Sequence, residues 1–142
     1  MPLTLSLPFV EEQLVAYLKA YTALSALVST RVSTRLPPSP TFPSVRLQRV
    51  GGIPDRFGVD QPTIQFDCYG RTHQEAEAVA AVTFKAAVEL PYIQQVHGDT
   101  VFESADPTTP KVMIPDPDIS DTNGNPLPRI VFGINFVARR TA

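Results

Sequence analysis

The chain has 142 residues, enough for one domain of ordinary size, and its 43% hydrophobic content can fill a single core. Twelve Lys and Arg against fourteen Asp and Glu leave a net charge of −2, which excludes the broad basic surface of a tight sequence-specific DNA binder or of a protein held to anionic membranes. The lone cysteine, Cys68, excludes an internal disulfide framework and a cysteine-rich zinc site, and no apolar run reaches the roughly 20 residues of a membrane span.

From the amino end, MPLTLSLPFVEE has no basic leader and turns acidic at Glu11 and Glu12, so the expectation is a soluble, unexported protein with no membrane partner. Val10, Leu14, Tyr17, Leu18 and Tyr21 recur at helical spacing and predict a helix from Pro8 to Ala20, with proline in its first turn. A shorter helix over Ala23 to Val28 follows, with Thr22 as N-cap and Leu24, Leu27 and Val28 facing the core. Pro37, Pro38, Pro40 and Pro43 then stiffen a connection that cannot be helix.

Ser44 to Ile53 and Thr63 to Tyr69 read as strands, the second alternating Ile64, Phe66 and Cys68 with Gln65, Asp67 and Tyr69. Gly51, Gly52 and Gly58 read as a flexible connection between them. Thr72-His73-Gln74-Glu75 is a capping box that opens an alanine-rich helix, which Pro91 is expected to stop. Strands near Thr100 to Glu103, Lys111 to Ile114 and Ile130 to Ala138 complete the chain, the last aligning Ile130, Phe132, Ile134 and Phe136 on one face. Six further prolines between Pro107 and Pro128, with the turn signal Asn123-Gly124, mark a long extended arm over about 104–128.

This order predicts an α+β fold in a single domain, residues 1–142: a mostly antiparallel sheet with two main helices packed on one face, and the long Pro-rich arm. The other face of the sheet, carrying Gln65, Asp67, Tyr69, Val131, Gly133, Asn135 and Val137, is mixed in polarity. Such a face can be solvated, or can line a wet channel or a polar interface.

Chemistry-bearing constellations are few. His73 lies inside the capping box and His97 beside a Gly98-Asp99 turn, positions of cap and loop residues rather than of bases. Cys68, at an inward strand position, reads as a small core residue. Gly51-Gly52 opens neither a dinucleotide fingerprint nor a phosphate loop. Asp116, Asp118 and Asp121 resemble a calcium loop, but the glycine and the closing glutamate are missing, so a solvated acidic loop is favoured. No cofactor, metal or catalytic residue is expected.

Charge is distributed unevenly. From Asp99 to Asp121 six carboxylates stand against Lys111 alone, whereas Arg31, Arg35, Arg46, Arg49, Arg56 and Arg71 fall in the first half. Arginine pairs well with carboxylate, so the acidic arm of one copy (Asp116, Asp118, Asp121) can meet Arg31, Arg35, Arg46, Arg49 and Arg56 of the next in a head-to-tail ring. A solvated charged surface is the alternative.

An N-terminal helix, then VSTRLP at 32–37, PSVRLQRVGG at 43–52, an Asp-containing turn and IQFDCYG at 64–70 before an Ala-rich helix, resembles the tail terminator proteins of long-tailed phages, particularly those of actinobacterial hosts. The likeness covers roughly residues 9–90. It implies a non-enzymatic virion protein that forms a hexameric ring at the head-proximal end of the tail tube. Such a ring stops tube polymerisation and joins the neck, with the tube protein and a head-completion protein as partners and DNA passing through the lumen. In that ring Gln65 and Asp67 are expected to face the lumen, where a neutral or acidic wall lets DNA slide. Another neck or tube ring protein, or a small cytosolic enzyme or ligand-binding domain, are the competing readings.

Overall fold

The computed structural model describes residues 9–54, 58–93, 96–120 and 123–140, with only the backbone described at Pro54. Helix α1 (Val10–Ala20) turns Val10, Leu14, Tyr17 and Leu18 inward, with Glu11 and Glu12 in its first turn and Lys19 in its last, matching the helix dipole. The predicted start at Pro8 lies outside the described residues. Helix α2 (Thr22–Val28) begins one residue earlier than predicted: Thr22 is its first residue and Tyr21 its N-cap, with no side-chain cap. Leu24 and Val28 enter the core, but Leu27 is exposed, because a seven-residue helix offers the core little more than one row.

A two-residue strand β1 (Val32–Ser33) pairs in parallel with β2 (Ser44–Pro54), which pairs antiparallel with β3 (Val59–Tyr69). Gly51 and Gly52 lie inside β2 rather than in a loop, and the register slips between Arg49 and Gly51. Gly52 has φ +105°, and a Cβ there would meet the Gln61 carbonyl, so the slip requires glycine.

Helix α3 (His73–Ile93) opens on the capping box: the Glu75 amide donates to Thr72 Oγ1 at 3.1 Å, and the Glu75 carboxylate accepts from the Arg71 amide at 2.9 Å. The helix runs two residues past Pro91 instead of stopping before it. A proline in the last turn removes one intrahelical bond, and the turn before it is tied to α1 by Tyr17, whose hydroxyl donates to the Ala86 carbonyl at 2.7 Å.

Strands β4 (Val96–His97), β5 (Thr100–Met113) and β8 (Arg129–Arg140) complete a six-stranded sheet in the order β1-β2-β3-β8-β5-β4, while β6 (Asp116–Ser120) and β7 (Pro126–Leu127) form a separate pair. The two short strands predicted within 100–114 are one 14-residue strand, broken by register shifts at 102/104, 107/109 and 109/112. Pro107 and Pro110 are tolerated because this stretch of β5 is an edge, paired to β8 alone. The predicted arm is thus an edge strand followed by the β6–β7 pair.

The three helices cover one face. Their apolar sides meet Val45 and Leu47 of β2, Ile64, Phe66 and Cys68 of β3, and Ile130, Phe132, Ile134 and Phe136 of β8 in one core. Phe66 stacks on Phe132 at 5.0 Å, and Phe84 of α3 meets Phe132 edge-on at 5.4 Å. Among the described residues no helix is long and apolar enough to cross a membrane.

Candidate assembly surfaces

The face away from the helices carries a polar network that begins with strand register. Arg46 lies opposite Asp67, and both point away from the core. Asp67 is completely buried; it accepts from Arg46 Nε at 2.9 Å and Nη2 at 2.7 Å, and from Gln65 Nε2 at 2.9 Å. Burial is the largest single influence and works against the Arg46 cation, but the bond to Asp67 and the neighbouring Tyr69, Asp67 and Asp116 together outweigh it and raise its pKa. The guanidinium also lies 5.9 Å from the centre of the Tyr69 ring, and Phe42 packs on the same ring at 5.6 Å.

The Tyr69 hydroxyl donates to Asp116 Oδ2 at 3.0 Å, which fastens β6 to the sheet, and Arg129 approaches the same oxygen at 3.8 Å. Burial pushes the Tyr69 phenol up to about 12, with Arg46 acting against the rise and Asp67 and Asp116 adding to it. Four of the sequence candidates, Arg46, Gln65, Asp67 and Asp116, therefore meet in a single intrachain network. Its outer surface is formed by the partly exposed Arg46 and Gln65, with the Asp67 carboxylate beneath them.

On the helix face Arg49 donates to both oxygens of Asp60, at 2.6 and 2.9 Å, and to the Gly51 carbonyl at 3.0 Å. Asp60 is buried, so Arg49 neutralises an acid of its own chain. Arg31 uses Nε on the Pro43 carbonyl at 2.7 Å, which ties β1 to the start of β2, while Arg35 is exposed with no side-chain partner among the described residues. Arg56 and Asp121 lie outside the described residues.

The acidic half is partly neutralised as well. Arg139 donates to Glu103 at 2.6 Å and Arg140 to Asp99 at 2.7 Å, and the Arg140 bond holds the Asp99 carboxyl below its ordinary value. These arginines of β8, and Asp60, were missed in the sequence because their partners are set by antiparallel register, not by proximity along the chain. Asp118 donates its amide to Asp116 Oδ1 at 3.0 Å, and its own carboxylate is exposed and unpaired among the described residues.

Residues associated with reactivity sit in structural roles. Cys68 is fully buried, and burial pushes its thiol up to about 12. His73 faces Glu77 along α3 at 3.3 Å, and His97 packs against Gln13 and Tyr17. No cluster of three or more metal-binding side chains occurs among the described residues.

Comparison with known proteins places this architecture. No curated protein matches the chain. Among solved structures, a chain in the virion of a native gene transfer agent particle shares the fold: TM-score 0.62, 20% identity, 92% of this chain and 94% of that chain covered. Residues 12–90, more than half of the 142, match the tail completion protein gp17 family. The matched region runs from the first turn of α1 to Leu90 in α3, and it holds most of the helix layer, the Arg46–Asp67 pair and the Arg49–Asp60 pair. The chain belongs to the tail completion protein gp17 family, a family of structural proteins of the phage tail.

Proposed function

We propose that copies of this chain form a closed ring at the head-proximal end of the tail tube, ending its polymerisation and giving the neck its docking surface. The observation that carries the reading is the sheet's two unlike edges. A ring needs a head-to-tail contact between two different surfaces on opposite flanks of each copy. Here the arginine-bearing β1–β2 edge lies on one flank, and the β5 edge with Glu103 and Asp106 on the other. Six copies is the number that the resemblance to tail terminators implies.

In such a ring the face opposite the helices lines the lumen. Arg46 and Asp67 neutralise one another there, so DNA sliding past Gln65 and Arg46 meets no uncompensated row of cations and releases few counterions. Assembly takes place in the host cytoplasm and the finished ring stays in the virion, next to the tube protein and a head-completion protein. The test is electron microscopy of tails assembled without this chain. Tubes of uncontrolled length are expected; tails of normal length would overturn termination. Binding of the purified chain to isolated tubes, rather than to capsid necks alone, separates a terminator from a neighbouring neck protein.

A further inference from the structure

We infer that the cleft between β1 and the proline-rich 36–44 segment is the receiving half of the subunit contact, and that Pro117-Asp118 of the neighbouring copy fills it. The inference rests on the ring reading and specifies its joint. The cleft has a volume of about 740 Å³ and is lined by Lys19, Arg31 and Arg35, with Pro37 and Pro38 among its walls and no carboxylate among its described lining residues. Lys19 and Arg35 have no ion-pair partner among the described residues, and Arg31 uses one nitrogen on a carbonyl.

Ser44, which also lines the cleft, is 3% exposed, and its hydroxyl has no hydrogen-bond partner among the described residues. A buried hydroxyl without a partner is costly, and here it borders a cavity that collects positive charge. An extended anionic segment with an apolar flank answers both requirements: its carboxylate meets the cations, its backbone reaches Ser44, and a proline ring packs on the proline wall.

The chain carries that segment itself. Asp99, Glu103 and Asp116 are paired within the chain, but the Asp118 carboxylate is exposed and unpaired among the described residues, and the exposed Pro117 precedes it. Asp106, the other acid of this region with no ion pair among the described residues, sits farther along β5 opposite Asn135.

Register places the two halves at one level. Ser44 pairs with Tyr69 and Tyr69 with Arg129, while Met113 pairs with Ile130 and β6 starts three residues later. The cleft therefore lies at the end of the sheet where β5 hands over to β6, and Asp116 of β6 is held there by Tyr69, the register partner of Ser44. Asp118, exposed two residues beyond that anchor, is available to the cleft of a neighbouring copy, and a contact between these two different surfaces repeats around a ring.

The test uses the full chain. Cys68 is its only cysteine and is buried, so Arg35→Cys and Asp118→Cys introduce the only accessible thiols. A mixture of the two single variants is expected to cross-link in pairs, and the double variant to give a ladder ending at the closed ring. Arg35→Glu or Asp118→Lys should each raise the concentration needed for ring formation by about tenfold or more, and the two together should restore it. Ser44→Ala should weaken assembly without lowering the melting temperature of the single chain. Rings of normal mass with no 35–118 cross-link and no response to charge reversal would overturn the cleft assignment and leave the ring reading intact. If the wild-type chain forms no ring, either alone or on purified tail tubes, the ring reading falls and the cleft with it.

Discussion

Asp67 has no solvent access and accepts three hydrogen bonds, two of them from Arg46. Removing one partner of a buried ion pair leaves the other uncompensated, at about 3–5 kcal/mol in fully buried cases. Arg46 keeps a quarter of its side chain exposed and can rehydrate, so Asp67→Ala should cost about 2–3 kcal/mol, and Asp67→Asn less because its carbonyl oxygen still accepts from Arg46. Urea denaturation measures this; a loss below about 0.5 kcal/mol, the size of an exposed pair, would show that the network adds little. Cys68 is expected to stay unmodified by a thiol reagent at pH 8 in the native chain and to react fully in urea, because burial pushes its thiol up to about 12. The alternation of Gln65, Asp67 and Tyr69 against the core residues was legible in the sequence. The burial of Asp67 was not, since it depends on which residue of β2 lies opposite.

The helices were the most legible elements, because the capping box and the 3.6-residue spacing are local signals. Strand β5 was the least: prolines three residues apart read as a loop by propensity, and only β8 beside it and the bulges between them make it a strand. The β3–α3 corner shows how closely these elements meet. A Cβ on Gly70 would fall on the backbone of Ala76 in the first turn of α3, so Gly70→Ala should force the helix off the sheet and destabilise by about 2–3 kcal/mol. An unchanged melting temperature would argue against that contact. Beside α1, His97 of β4 lies 3.1 Å from Gln13 and edge-on to Tyr17, and burial lowers its pKa. A base whose folded pKa is depressed stabilises the fold fully above its unfolded value of about 6.5, and this contribution fades as pH falls below that value toward the folded pKa. Thermal melts from pH 7.5 to 5 should therefore show a loss that His97→Phe reduces.

At the scale of the molecule, charge and apolar surface are segregated, and this makes the force behind assembly measurable. Lys19, Arg31 and Arg35 gather at the β1–β2 edge and Asp118 stands exposed on β6, whereas Tyr92, Ile93 and Val96 lie near the end of α3, exposed by 87%, 58% and 52%. The two kinds of contact respond to salt in opposite ways. Raising sodium chloride from about 0.1 M to about 1 M shortens the screening length from about 10 Å to about 3 Å and weakens exposed ion pairs, whereas sulfate strengthens apolar burial. A ring joined through the cationic cleft should dissociate toward single chains in 1 M sodium chloride, with sedimentation velocity reporting the loss of the large species. A ring joined through the apolar end of α3 should keep its mass in chloride and tighten in sulfate. Because the intrachain pairs Arg46–Asp67 and Arg49–Asp60 have buried carboxylates and are screened less, the same chloride should leave the single chain folded. Unchanged circular dichroism beside a falling sedimentation coefficient would therefore assign the effect to the joint between copies and not to the fold.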